Sequence, residues 1–211
     1  LSLRRQRQMC IRDRYKDYTF AQILLESVAV ILGIVSVIFS KRNSIWLYPT
    51  GLASTIIYIY LLIGWELYGD LLINMYYFYM SVYGWWLWRK PYKKNSDILK
   101  ITKNSHNDWL KSGFILIFSI IFVSVIYILF NKFDRWWAYA DIIMTGLLFV
   151  GTWQLAKRKL ENWLFLIAGD IIAIPLFYLK GYTLTGILNV VLIVIAIYGY
   201  LAWKRILRDR K

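Results

Sequence analysis

Residues 161–180 read ENWLFLIAGDIIAIPLFYLK, and the fold class turns on that stretch. An almost unbroken apolar run of this length crosses a hydrocarbon core of about 30 Å as a helix. Asp170 stands near its middle, about 12 Å along the axis at 1.5 Å per residue. A carboxylate at that depth costs about 2.5–3.5 kcal/mol on insertion scales, so it is rarely idle. Trp163 stands at one mouth and Pro175 lies just beyond the acid. The proline leaves the carbonyl of Ile171 without its usual partner, and a kink is expected there. This helix is expected to form one wall of a substrate site.

Outward from it, the same reading recurs. Of the 211 residues 59% are hydrophobic, more than a water-soluble domain of this size carries. The spans expected are 22–40, 44–63, 69–88, 112–130, 136–156, 162–179 and 183–203. The fold class is therefore all-α, a polytopic membrane protein of seven transmembrane helices. The domain layout is a leader at 1–21, a seven-helix domain at 22–205 and a basic tail at 206–211. Residues 1–14, LSLRRQRQMCIRDR, resemble a translated sequencing adapter and are expected to be non-native; the other reading is a genuine basic tail.

Most of the 26 Lys and Arg fall after spans one, three and five and in the C-terminal tail. The positive-inside rule then puts the C-terminus in the cytoplasm and the N-terminus outside, in a bacterial inner membrane. The net charge of +14 borders the spans and forms no single groove, so no nucleic acid is expected. Cys10 is the only cysteine and His106, in a polar loop, the only histidine. That leaves no thiol pair and no His or Cys cluster for a metal, so no metal site and no cofactor are expected. The motif H-E-x-x-H is absent and no lysine lies inside a span to form a Schiff base. The chain is not read as an enzyme.

An internal repeat is visible. GWELYGDLLINMYYFYMSVYGWWLW (64–88) aligns with GYTLTGILNVVLIVIAIYGYLAW (181–203), pairing Asn74 with Asn189, Gly84 with Gly199 and Trp88 with Trp203. Lys41 and Arg42 precede the second helix of one copy as Lys157 and Arg158 do in the other. Repeat 1 (22–88), a linker helix (112–130) and repeat 2 (136–203) make a parallel 3+1+3 plan, which places a substrate site between the halves near mid-depth.

Acids lie inside or beside the spans while bases do not: Asp70, Asp141 and Asp170, with Glu26 and Glu66 near the mouths. One sign of charge at an entrance favours a cationic solute; the plainer reading is that mouth acids sit in interfacial water. Asp170 either serves the solute or hydrogen-bonds a neighbouring helix. Asn74 and Asn189 either tie helices together or hold one ligand from both halves. Asn74, Tyr77, Phe78 and Ser81 share one face of the third span; Phe78 is assigned to packing. Trp163 is either an interfacial anchor or a stacking surface for a cationic ring.

These residues resemble the nicotinamide riboside transporter (PnuC) family of bacterial vitamin transporters. The resemblance covers residues 22–205 and rests on YPTGLASTIIY (48–58), INMYYFYMSVYGWWLW (73–88) and KRKLENWLFLIAGDIIAIPLFYLKG (157–181). It implies facilitated uptake of nicotinamide riboside, trapped afterwards by cytoplasmic phosphorylation; relatives carry thiamine or other vitamins. Trp163 and Asp170 match the ends of the signature W-x2-W-x3-D/N, but its middle Trp is Leu166 here. Where the seventh span of the family reads T-S-x-Q-Y, this chain has Leu188 and Asn189 at the last two positions. Such departures bear on which vitamin is chosen. The site expected is Trp163, Asp170, Asn74, Asn189 and Tyr77, worked by alternating access. Nicotinamide riboside comes first and thiamine second. The expected partners are that cationic vitamin, membrane lipid and, as an open option, further copies in a homo-oligomer.

Overall fold

A computed structural model describes residues 19–64, 68–89, 100–129, 133, 136–179 and 183–209. The expected leader at 1–14, Glu66 and the basic run at 90–99 lie outside them. Among the described residues there are seven helices and no strand: α1 (Phe20–Lys41), α2 (Leu47–Gly64), α3 (Tyr68–Arg89), α4 (His106–Leu129), α5 (Trp137–Ala156), α6 (Asn162–Leu179) and α7 (Thr183–Arg208). Each covers one expected span. α4 begins at His106, ahead of the expected 112, because Ser105 and Asp108 cap it reciprocally. The Ser105 N–H donates to Asp108 Oδ2 at 2.9 Å and the Asp108 N–H donates to Ser105 Oγ at 3.3 Å. α7 runs past 203 to Arg208, with Arg205 and Arg208 in its last turn facing the negative end of the helix dipole.

α1, α2, α4, α6 and α7 are long and apolar enough to cross a bilayer by length and composition. α3 and α5 fall short of that measure because they carry much of the Tyr, Trp, Thr and Gly. They also pack on each other, and polar or aromatic residues are tolerated where protein replaces lipid. On α3 the exposed residues Met75, Tyr79, Val82 and Trp86 form one stripe, as expected of a lipid-facing edge. Phe78 joins it at 36% exposure, so its expected packing role is corrected: it sits at the rim of the face that Tyr77 turns inward.

The helices form a closed ring: α1 packs on α2, α2 on α3, α3 on α5, α5 on α6, α6 on α7 and α7 back on α1, with α4 against α5. Exchanging α1, α2 and α3 for α5, α6 and α7 leaves this set of ring contacts unchanged. Side chains repeat the exchange. Trp88 Nε1 donates to the Ala156 carbonyl at 3.1 Å, and Trp203 Nε1 donates to the Ser40 carbonyl at 3.1 Å. Each third helix thus caps the C-terminus of the other half's first helix, where carbonyls would otherwise lack donors. Lys157 Nζ lies 5.5 Å over the Tyr83 ring and Lys41 Nζ 5.0 Å over Tyr198, again matched across the halves.

The same ends turn alike. Asn43 and Arg158 both adopt a left-handed φ, 52° and 51°. Around them Ser44 N–H reaches the Phe39 carbonyl and Lys159 N–H the Gln154 carbonyl, both at 2.9 Å, the closing bond of a Schellman turn. Asn tolerates that conformation and Arg does not; the Arg158 guanidinium lies 3.7 Å over the Trp88 ring, which offsets the strain.

Two glycines permit the closest approaches. A Cβ on Gly84 would stand 2.4 Å from Tyr48, and one on Gly199 2.6 Å from Trp163. Tyr48 meets Trp88 edge-on at 5.1 Å and 88°, and Trp163 meets Trp203 at 5.5 Å and 86°. Gly84→Ala or Gly199→Ala should lower stability by about 1–3 kcal/mol through overpacking. Gly113, whose Cβ would meet nothing within 4 Å, should gain roughly 0.5–1 kcal/mol as Ala in its helix. Thermal unfolding in detergent checks all three; equal shifts would refute the packing account.

Candidate functional site

Asp170 is 6% exposed. Among the described residues its carboxyl makes no hydrogen bond and no ion pair. No hydrogen bond from it to a neighbouring helix is seen among them, so the role for the solute weighed from sequence stays open. A buried polar group without a partner is rare enough to need a reason, and one in a span is read first as functional. Tyr77, on α3 in the other half, lies within electrostatic reach of Asp170 and of Asp141.

Tyr77 is held from α5. Its ring meets Phe149 edge-on at 5.7 Å and 80°, while Tyr76 stacks on the other side of that contact, 3.8 Å from Phe149. The Tyr76 hydroxyl donates to the Phe149 carbonyl at 2.9 Å. Phe149 was not singled out from sequence; its signal was only an aromatic in the middle of α5. Tyr127 donates a short hydrogen bond to Asp141 and also lies within reach of Asp70. Asp70, Tyr127, Asp141, Tyr77 and Asp170 thus form an acid and tyrosine series from one end of the ring to mid-depth. One sign of charge lines it.

The other expected residues are placed differently. Asn74 spends its amide on its own helix, Nδ2 donating to the Asp70 carbonyl at 3.0 Å. Its partner by repeat, Asn189, is buried at 7% exposure. Trp163 is 0% exposed, so the interfacial-anchor reading is corrected: Gly199 and Trp203 of α7 pack against it. It lies two turns from Asp170 on the same helix face, in an aromatic cluster with Tyr48, Trp88 and Trp203. Leu166 fills a notch at Gly151, where a Cβ would stand 2.8 Å from its Cδ2.

Neither of two surface cavities coincides with these residues. One of about 400 Å³ is lined by Leu110, Lys111, Phe114, Ile115 and Trp153, and one of about 190 Å³ by Gln22, Tyr60, Leu61, Ile63 and Gly64. Both are open flanks where lipid fits. Among the described residues no group of three or more His, Cys, Asp or Glu is placed to hold a metal.

At the opposite end of the ring from Asp141, residues 100–105 lie as a strap against the α5–α6 turn. Thr102 pairs with Lys159 as an isolated parallel bridge. The Thr102 N–H donates to the Arg158 carbonyl at 3.1 Å, and the Leu160 N–H donates to the Thr102 carbonyl at 2.9 Å. The Asn104 N–H donates to Glu161 Oε2 at 2.9 Å. Lys159 pairs with Asp108 at 2.7 Å. Burial of Asp108 works against its charge, but the Lys159 and Ser105 hydrogen bonds outweigh that and hold its carboxyl down at about 2.

The profile of a family described as "Nicotinamide mononucleotide transporter" matches residues 23–205. The nicotinamide riboside transporter PnuC of Escherichia coli K12 is 22% identical, over 88% of this chain and 87% of its own. The riboflavin/roseoflavin transporter RibM of Streptomyces davaonensis is also 22% identical, over 84% of this chain and 83% of its own. The crystal structure of the vitamin B3 transporter PnuC superposes with a TM-score of 0.67 at 22% identity, covering 89% of this chain and 83% of that one.

The strap carries a pH signature. Asp108 sits near 2 when folded against about 3.9 unfolded, so its stabilisation is full above pH 4 and lost as pH falls towards 2. Asp108→Asn should lower the melting temperature at pH 7 and leave it unchanged near pH 2. A deficit of the same size at both pH values would refute this.

Proposed function

The chain belongs to the nicotinamide mononucleotide transporter family, and we propose that this protein takes up nicotinamide riboside across the bacterial inner membrane by facilitated diffusion. It is a multi-pass membrane transporter and not an enzyme. The observation that carries the substrate reading is Asp170, a carboxylate buried without a partner opposite Tyr77. Nicotinamide riboside is a pyridinium cation with a ribose arm. An anion in a low-dielectric interior complements the ring, and hydroxyl and amide groups complement the sugar.

In this reading Asp170 offsets the ring charge and Tyr77 donates to, or accepts from, a ribose hydroxyl. Asn74, its Nδ2 taken by the Asp70 carbonyl, offers its side-chain oxygen from one half and Asn189 a contact from the other. Trp163 gains a free face for stacking only when the aromatic cluster around it parts. The two three-helix halves of the parallel 3+1+3 plan rock about this site, α4 travelling with α5. The reciprocal indole caps support the two-half division, since they repeat on exchange of the halves. The basic loops support a cytoplasmic C-terminus and an external N-terminus, which sets the acid and tyrosine series at the entrance.

Another vitamin on the same fold is the second reading. Leu166 and Leu188 stand where the resemblance expects Trp and Gln, and a riboflavin carrier is as similar to this chain as the nicotinamide riboside carrier is. Thiamine, a cation with a hydroxyl arm, fits Asp170; riboflavin is uncharged and does not use it.

Uptake of labelled nicotinamide riboside into proteoliposomes tests the proposal. A charged hydrogen-bond partner is worth about 1.5–3 kcal/mol, so Asp170→Ala should lower Vmax/KM by roughly 10–100-fold. Tyr77→Phe should cost less, roughly 3–10-fold for a neutral hydrogen bond. Trp163→Ala should also slow uptake. Uptake of labelled thiamine or riboflavin, with no carrier-mediated uptake of labelled nicotinamide riboside, would replace the substrate assigned here.

A further inference from the structure

The transport reading leaves one buried residue of the strap without a role. Ile101 lies between two polar-sided helix ends in a segment that is otherwise hydrophilic, yet it is 2% exposed. It shares one buried cluster with Tyr48, Leu87 and Trp88 of the first half and with Leu160, Trp163 and Trp203 of the second. Every backbone bond of the strap described above runs to the α5–α6 turn, as do the Asn104–Glu161 and Asp108–Lys159 contacts. Among the described residues the strap is therefore fastened to the second half, while its apolar side chain sits where both halves meet.

Two polar atoms in the same cluster have no partner: the Tyr48 hydroxyl and Trp163 Nε1. They occupy matching places in the two halves, each against a glycine, Gly84 and Gly199. Ser40 Oγ, at the helix end that Trp203 caps, is likewise buried and unpartnered. Buried donors and acceptors left unsatisfied in one conformation are explained if another conformation wets them.

Resting on the transport reading above, we propose that Ile101 is the closing residue of the inner gate. It is a wedge carried by the second half that seals the aromatic cluster in this conformation. It withdraws from Tyr48 and Trp88 when the halves part, exposing the Tyr48 hydroxyl and the Trp163 indole to water and to the leaving solute. Ile101 touches no substrate here; it acts by setting the balance between inward-open and inward-closed states. Removing the wedge shifts that balance inward, so fewer molecules wait with the site facing out.

Kinetics and accessibility test it in the full-length chain. In proteoliposomes Ile101→Ala should raise KM for uptake at least threefold and lower KM for efflux at least threefold. Passive transport keeps Vmax/KM equal in the two directions. Ile101→Val should fall between Ile101→Ala and the parent. KM values that both rise, both fall or both stay would overturn the gate, because a merely structural residue has no reason to move them apart. A second arm needs no substrate. In a Cys10→Ser background, Ser40→Cys in inside-out vesicles should react with a membrane-impermeant maleimide at least fivefold faster when Ile101 is Ala. An unchanged rate would overturn the gate whatever the solute proves to be. Failure of the parent protein to move nicotinamide riboside, with this acceleration intact, would count against the substrate reading and in favour of the gate.

Discussion

Two indole N–H groups hold the ring together at one end. A helix that ends inside or near a bilayer leaves carbonyls with no water to bind them, and the deficit must be met by protein. Here it is met reciprocally: Trp88 serves the end of α5 and Trp203 the end of α1. Neither half can satisfy its own first helix this way. The demand for partners therefore joins the halves at the end where Lys41, Lys157 and Arg158 gather over aromatic rings. Tyr48, Trp163 and Ile101 are buried as a consequence of that closure.

Against this tied end, the interior near Asp170 is under-satisfied. Among the described residues the carboxylate has no donor and no counter-charge, while Tyr77 is held through ring contacts to Phe149 and Tyr76. The end tied by the two indoles also buries polar atoms without partners, the Tyr48 hydroxyl, Trp163 Nε1 and Ser40 Oγ among them, so its closure leaves polar capacity unmet beside the helix ends it caps. That combination suits a carrier. The guest completes the polar inventory, and it must not be bound so tightly that it cannot leave.

The spans were legible from sequence because lipid imposes a minimum length on any apolar helix, and each expected span has its helix. Their ends were less so. The Ser105–Asp108 cap was readable as S-x-x-D but stood ahead of the apolar run that drew attention to 112. Gly84, Gly199, Trp88 and Trp203 were legible as a repeat by spacing, though not what the spacing served. Tyr48 and Trp163 differ in kind, so identity alone could not show them as one position used twice. Phe149 and Ile101 carried no signal, for one is an aromatic among many and the other an apolar residue in a polar loop. For Trp163 the sequence offered an interfacial anchor and a stacking surface, and only packing reveals that α7 covers it.

The exchange of contacts between the halves has a geometric implication. Of the interfaces between them, α1 with α7 and α3 with α5, each takes the other's place when the three-helix sets are exchanged. A single three-helix chain bearing a glycine, a tryptophan and an aromatic at these places would pair with a copy of itself through two identical interfaces and close the same circle. What then distinguishes the present protein is where it breaks that equality: one carboxylate in α6, one strap on the α5–α6 turn and one peripheral helix against α5.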